Sequence, residues 1–89
     1  MTMNILLHRD FEKSYIRLRR SEKERFKMRK KMFIENPFNP ILENHPLKGE
    51  MDGCHSFHIG GDLSVIYHFV QKDTVRFLNV GTHHQLFGL

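Results

Sequence analysis

The sequence predicts an α+β fold, in which an N-terminal strand and a basic two-helix hairpin precede an antiparallel three-stranded meander. Two patterns along the 89 residues predict it. Apolar residues recur at helical spacing up to residue 35, and strand-like runs separated by short turns follow residue 53. A chain of this length buries one modest core, so we expect a single domain over residues 1–89.

The first half of the predicted fold is a strand followed by two helices. The opening MNILLH has the short apolar run of an edge or a buried strand, and Asp10 offers a cap for a helix over residues 10–20. Ser21 and Glu24 have the spacing of a capping box, which predicts that a second helix begins there and ends before the first proline. Its apolar residues, which we expect in the core, are Phe26, Met28, Met32 and Phe33.

The second half is predicted as a loop followed by strands. Residues 36–53 contain three prolines and two glycines, which predicts a long irregular connection with one helical turn around residues 41–44. Three strands joined by tight turns follow, over residues 54–59, 63–70 and 74–82. The middle strand has apolar side chains toward both of its faces. We therefore expect it to be central, with helices on one face and a site or a partner on the other.

Positive charge is concentrated in the N-terminal third. Residues 1–36 hold eleven Lys and Arg against five Asp and Glu, whereas residues 37–89 hold three against five. Nine of the basic residues lie between Arg17 and Lys31. This density indicates attraction either to phosphate or to an acidic partner, and charge alone does not separate RNA from protein.

The cysteine count and the hydropathy favour a cytoplasmic protein. The single cysteine, Cys54, cannot form an internal disulfide. The chain has no apolar stretch near 20 residues and no charged-then-apolar leader. We therefore expect a cytoplasmic location and no membrane partner.

Histidine is the most informative residue type for chemistry. Six of the seven histidines lie in the second half of the chain, and histidine exchanges protons near neutral pH. In the predicted meander, His58 and Asp62 flank one hairpin turn, and the last strand returns to the same end with His83. His45 and Lys48 precede the first meander strand and could cover that rim.

Such a rim could either transfer protons or hold a metal ion. Three histidines and an aspartate suit zinc, yet the sequence has no HExxH, no CxxC and no closely spaced pair on a helix, so we favour metal-free proton transfer. RNA cleavage by the neighbouring 2′-hydroxyl needs a base, an acid and positive charge, and histidines supply all three. Phe87 would either stack an unpaired base or cover the core.

Three segments carry a family resemblance: HPLKG, SFHIGGDLSVIYHF and VRFLNVGTHHQLFG. In order and spacing they resemble the RelE/ParE toxin superfamily, and most closely its YafQ branch of ribosome-dependent mRNA interferases. They span about residues 44–88. The basic helices match only in kind, but with the N-terminal strand they fit the βααβββ plan of the superfamily.

The resemblance implies an activity, partners and site residues. It implies cleavage of mRNA in the ribosomal A site, basic helices that meet ribosomal RNA, and neutralisation by a cognate antitoxin protein. No cofactor is expected. The active-site set that it implies is His45, His58, Asp62, His83 and Phe87. The basic residues that would contact RNA are Arg17, Arg19, Arg20, Lys23, Arg25, Lys27, Lys30 and Lys31.

The sequence departs from the family pattern at three positions. Ser56 stands where the YafQ branch can have an acidic residue, and Leu63 stands where an aromatic residue occurs. In the wider superfamily, an arginine commonly occupies the position of Ser64. The charge on the phosphate would then be met by protonated histidine, Lys48 or Arg76.

These residues suggest a division of roles. We assign His45 or His58 as the base toward the 2′-hydroxyl and His83 as the acid toward the leaving oxygen. Asp62 would orient and hold a histidinium, and Phe87 would stack a base. Two opposing hypotheses stay open: a ParE-like toxin that inhibits a protein target such as gyrase without cutting RNA, and an inactive homologue that binds an antitoxin.

Overall fold

The computed structural model describes residues 3–88 and confirms the predicted α+β architecture. The elements are β1 Asn4–Leu7, α1 Arg9–Ile16, α2 Arg20–Glu35, β2 His45–Pro46, β3 His55–Gly60, β4 Leu63–Gln71, β5 Thr74–Thr82 and α3 His83–Phe87. Two 3-10 turns, Pro40–Leu42 and Gly49–Met51, lie in the long connection after α2. No helix within residues 3–88 combines the length and apolar character needed to cross a bilayer.

The strands form one five-stranded sheet in the order β1-β5-β4-β3-β2. The predicted antiparallel meander is formed by β3, β4 and β5, and β4 takes the predicted central position. At one edge, β1 pairs in parallel with β5, and at the other edge β2 pairs through two residues with β3. The two elements that the sequence did not predict, β2 and α3, both carry residues of the candidate site.

Both longer helices cover one face of the sheet through an aromatic core. Phe11 of α1 and Phe26 and Phe33 of α2 are each at most 5% exposed. Their rings lie 5.6 to 6.0 Å from the ring of Phe77 on β5. Phe33 also stacks on Phe57 of β3 at 4.6 Å. Offset and edge contacts of this kind stabilise a core beyond the area that they bury, and they fix α1 and α2 against the sheet.

The first long helix, α1, begins and ends earlier than predicted. His8 is its cap, since Nδ1 of His8 accepts the Asp10 N–H group at 3.0 Å, and Asp10 lies in the first turn. The helix ends at Ile16, because the N–H groups of Arg17 and Leu18 bond to carbonyl groups three residues back and tighten the last turn.

The start of α2 and one of its core positions also differ from the prediction. The carboxylate of Glu22 accepts the N–H group of the residue before the helix at 2.7 Å, in place of the predicted pair Ser21 and Glu24. Met28 is 69% exposed rather than buried. It lies about 200° around the helix from Phe26, on the opposite side from the core.

Strand alternation places polar side chains on the face of the sheet that lies opposite the helices. Phe57 of β3 and Val65 of β4 belong to the core. Because successive side chains of a strand point to opposite faces, Ser56, His58 and Ser64 point away from the helices.

Candidate active site

A cavity of about 280 Å³ lies on the face of the sheet that bears Ser56 and Ser64. Residues from β2, from the connection after it and from α3 close the cavity above these two strand residues. The lining residues with a predicted role are His45, Lys48, His83 and Phe87. The other lining residues are Leu47, Met51, Ser56 and Ser64.

The short strand β2 fixes the position of His45. Its pairing with β3 sets His45 opposite Ser56, so their side chains share one face. Nδ1 of His45 lies 2.8 Å from the carbonyl oxygen of Glu43. Because a carbonyl oxygen only accepts hydrogen bonds, Nδ1 carries the proton, and Nε2 of the neutral ring keeps a lone pair. The ring is therefore held in the tautomer that accepts a proton at Nε2.

Side chains beneath the turn hold the segment that presents His45. Asn44 donates to the Pro37 carbonyl at 2.9 Å, and its amide nitrogen and oxygen lie 2.8 and 3.0 Å from the Tyr67 hydroxyl. Burial raises the pKa of Tyr67, and its hydrogen bond with Asn44 acts in the opposite direction. Glu43 has a left-handed φ of 48°, which costs a non-glycine residue about 1–2 kcal/mol. The anchored turn compensates for that strain.

The C-terminal helix α3 directs His83 and Phe87 into the cavity. These residues are one helical turn apart, and their ring centroids are 4.8 Å apart. Thr82 and Gln85 form a capping box at the start of α3, with hydrogen bonds of 3.1 and 2.8 Å. His84 is exposed and lies about 100° further around the helix. Because this segment is helical, His83 and His84 point in different directions, and only His83 lines the cavity.

His58 and Asp62 lie near the cavity but outside its lining. His58 pairs with Ser64, so the two side chains are neighbours on one face. Asp62 is exposed in the β3–β4 turn, and no other residue of 3–88 forms a hydrogen bond or ion pair with its carboxylate. The predicted return of β5 to this end is confirmed, since Thr82 pairs with Leu63. The structure thus brings all four predicted acid–base residues to one region and two of them into the cavity.

Arg76 lies away from the cavity. On β5 it pairs with His68 of β4, and its Nη1 is 3.4 Å from Nε2 of His68. His68 is four residues beyond Ser64, or about 13 Å along the strand at 3.3 Å per residue. The structure therefore does not bring Arg76 to the predicted substrate site, and Lys48 is the permanent cation in the lining.

The basic residues around α2 divide into an engaged group and an exposed group. Arg25 lies close over the β3–β4 turn. If Gly60 were replaced by a residue with a Cβ atom, that atom would be 3.0 Å from Nη1 of Arg25. Arg29 donates to the His58 carbonyl at 3.3 Å, and Lys23 lies over an aromatic ring of α1 at 5.5 Å. Lys30 is half-buried. The exposed group consists of Arg17, Arg19, Arg20, Lys27 and Lys31.

Sequence reasoning did not identify the serines as part of the cavity. Ser56 alternates with Phe57 on β3, so the pattern that predicted the strand also put Ser56 on the face of His58. Leu47 and Met51 lie in the irregular connection, whose path the sequence did not predict. Within residues 3–88, no three His, Cys, Asp or Glu side chains are grouped closely enough to hold a metal ion.

Solved toxin structures share this fold. YafQ from Escherichia coli strain BL21(DE3) superposes with a TM-score of 0.79 and 25% sequence identity over 97% of this chain and 99% of that chain. A chain of the E. coli DinJ–YafQ toxin–antitoxin complex gives 0.77 and 25% over 99% of this chain and 100% of that chain. A chain of the archaeal RelE–RelB complex from Pyrococcus horikoshii OT3 shares the fold at 0.72 and 22% identity, over 92% and 96%.

These likenesses and the cavity define the class of protein: it is a small toxin with the fold that the YafQ and RelE structures share. The family model for YafQ, a bacterial toxin of type II toxin–antitoxin systems, matches residues 3–88. The chain therefore belongs to the YafQ family of toxins. Among functionally curated proteins, none matches the sequence.

Proposed function

We propose that this YafQ-family toxin is an endoribonuclease that cleaves mRNA in the ribosomal A site and so inhibits translation. One observation carries the proposal. A single cavity contains two histidines from different elements, His45 and His83, together with the cation Lys48 and the aromatic Phe87. A base, an acid, a positive charge and a stacking surface are what metal-free cleavage of a ribonucleotide chain requires.

The cleavage step uses these groups in a balanced way. A neutral histidine takes the proton of the 2′-hydroxyl, and the 2′-oxygen forms a bond to the adjacent phosphorus. The bond between phosphorus and the 5′-oxygen breaks, and a protonated histidine gives its proton to that oxygen. The products are a 2′,3′-cyclic phosphate and a 5′-hydroxyl, with no net change in protons.

The geometry favours His45 over His58 as the base. His45 lines the cavity, and its hydrogen bond to Glu43 leaves Nε2 ready to accept a proton. His58 lies beside the cavity, and Asp62 lies at the end of the same strand pair. In this position a protonated His58 would supply positive charge that supports the reacting phosphate. The acid is His83, which lies on α3 next to Phe87.

Lys48 and Phe87 bind the substrate in this proposal. Lys48 is exposed at the cavity and would attract the backbone phosphate. Phe87 is half-buried, with part of its ring available to an unpaired base held in the decoding site.

The partners proposed for this chain are macromolecules. The exposed basic residues near α2 would contact ribosomal RNA, because their charge attracts phosphate without the need for sequence recognition. A cognate antitoxin would neutralise the toxin, as the DinJ–YafQ and RelE–RelB complexes suggest. A ribosome-bound activity places the protein in the cytoplasm.

The test is mRNA cleavage in a reconstituted translation reaction, with primer extension to locate the cuts. We expect the wild type to cut translated mRNA at codon positions and His83→Ala to lose about 100-fold or more of the rate. His84→Ala is the matched control, since it removes a histidine from the same short helix but outside the cavity lining.

Two results would contradict the proposal. Cuts in a reaction without ribosomes would show that the enzyme is not ribosome-dependent. No cuts by a folded wild type would remove the nuclease assignment, and gyrase inhibition would then test the ParE-like alternative.

A further inference from the structure

Two serines form part of the cavity surface on adjacent strands. Ser56 of β3 is 3% exposed, and Ser64 of β4 is half-buried. Both line the cavity that His45 and His83 also line. Because Ser56 pairs with Ile66 and Ser64 pairs with His58, the two serines are diagonal neighbours on one face of the sheet.

The hydroxyl groups of both serines are available to a ligand. Within residues 3–88, neither hydroxyl has a hydrogen-bond partner in the protein. Ser56 is almost wholly enclosed as a residue, but its hydroxyl lines the cavity, where a bound group can accept its hydrogen bond. Each hydroxyl has a freely rotating proton and can turn toward such an acceptor.

The cavity needs donors of this kind for the proposed reaction. Its lining holds one permanent cation, Lys48, and no arginine. In the transition state, negative charge accumulates on the non-bridging oxygens of the phosphate, and fixed hydrogen-bond donors aimed at such oxygens lower the barrier. Diagonal side chains on paired strands stand about 7 Å apart, so hydrogen bonds of about 2.7 Å from each side reach two oxygens of one phosphate.

We propose that Ser56 and Ser64 donate hydrogen bonds to the two non-bridging oxygens of the scissile phosphate in the mRNA. This inference rests on the proposed nuclease function and adds the residues that hold the reacting group. The phosphate then lies against the sheet, beside His45, which pairs with Ser56, and beside His58, which pairs with Ser64.

The first test compares variants at position 64 that differ by a single group. Thr and Val have nearly the same shape and both favour strands, but only Thr keeps the hydroxyl. In single-turnover cleavage with saturating ribosome complexes, we expect Ser64→Thr to stay within a few-fold of the wild type. Ser64→Val should be slower by about 10- to 100-fold, and Ser56→Ala by a similar factor. Equal rates for the Thr and Val variants, or an unaffected Ser56→Ala, would overturn the proposal.

The second test identifies the atom that the serines contact. Sulfur accepts hydrogen bonds poorly, so an mRNA with one non-bridging oxygen at the cut replaced by sulfur should be cleaved more slowly by the wild type. The slowing should be smaller in Ser64→Val or in Ser56→Ala, since one hydrogen bond to the phosphate is already missing.

The outcomes separate this inference from the proposed function. If the wild type does not cleave the all-oxygen mRNA, the nuclease function itself is wrong. If the wild type cleaves it, but the sulfur effect is the same in the wild type and in both serine variants, the serines act only on the fold and the inference is wrong.

Discussion

The cavity and the helix α2 lie on opposite faces of the sheet and differ in the kind of charge that they carry. The cavity holds two histidines, a residue type that exchanges protons, and one lysine. Around α2 the exposed basic residues Arg17, Arg19, Arg20, Lys27 and Lys31 are permanent cations. The core aromatic residues of α2 and the sheet separate the two regions. In the proposed function, the charge for binding therefore lies apart from the groups for chemistry, and mutations should affect one property without the other.

The largest expected effect is on the chemical step. His45→Ala should lower the single-turnover cleavage rate by about 10²- to 10⁴-fold, because it removes the proposed base, with little change in ribosome binding. His68→Ala is the control, since His68 is also on the sheet but pairs with Arg76 outside the cavity lining. If both variants keep the wild-type rate, the chemistry does not depend on the cavity.

The next effect concerns the stacking surface beside His83. Phe87→Ala should weaken productive mRNA binding by about 30-fold, since base–aromatic stacking contributes about 1–3 kcal/mol per base. Phe87→Leu keeps the apolar bulk without the flat ring. Titration of the cleavage rate with toxin measures both variants. A Leu variant with wild-type activity would mean that Phe87 covers the core and does not stack.

A smaller effect is expected on the opposite face of the sheet. Lys27→Glu combined with Lys31→Glu should weaken ribosome binding by about 10-fold near 0.1 M salt and reduce its salt dependence. The cleavage rate at saturation should stay unchanged. Lys72→Glu, a charge reversal in the β4–β5 turn, is the control. Binding that is equally weakened by all of these reversals would assign the effect to net charge and not to α2.

The smallest effect concerns the hydrogen bonds between Asn44 and Tyr67, which hold the segment that presents His45. Tyr67→Phe should lower the free energy of unfolding by about 1 kcal/mol, because it removes the hydroxyl that Asn44 contacts. The raised pKa of Tyr67 means that the folded state holds the phenol proton more tightly than the unfolded state. Its contribution to stability is therefore complete below about pH 10 and is lost as the pH rises further.

Urea unfolding at pH 7 and at pH 10.5 measures this prediction. The wild type should lose more stability between the two values than Tyr67→Phe, which lacks the titrating group. An equal loss in both proteins would show that Tyr67 does not contribute to the alkaline instability.

Local sequence patterns were sufficient for the larger elements of the fold. The alternation in residues 54–82 predicted three strands and the central position of β4, because burial on both faces leaves a continuous apolar run. The parallel pairing of β1 with β5 has no comparable signal. It depends on contacts between the two ends of the chain, which no local pattern records.

Two similar capping signals show why helix starts were harder to predict. Ser21 and Glu24 have the capping-box spacing, yet the cap of α2 lies two residues earlier, at Arg19, with Glu22 as the acceptor. Thr82 and Gln85 have the same spacing and do form the box that starts α3. The signal is local, but packing against the sheet decides which of the possible caps forms.

The candidate site was predictable in its residue types but not in its assembly. The strand-end positions of His58, Asp62 and His83 follow from the antiparallel meander, so the sequence predicted that they lie at one end of the sheet. The position of His45 depends on a two-residue strand and on the distant contact between Asn44 and Tyr67. Such long-range contacts cannot be recovered from one local segment.

The most direct test of the separation between the binding charge around α2 and the catalytic groups in the cavity is a cleavage titration on mRNA-programmed ribosomes. The single-turnover rate would be measured against toxin concentration for the wild type, for His83→Ala and for the double reversal at Lys27 and Lys31. The account predicts that His83→Ala lowers the plateau at an unchanged midpoint, whereas the double reversal shifts the midpoint to higher concentration at an unchanged plateau. A full plateau for His83→Ala, or a plateau lowered as strongly by the double reversal, would contradict it.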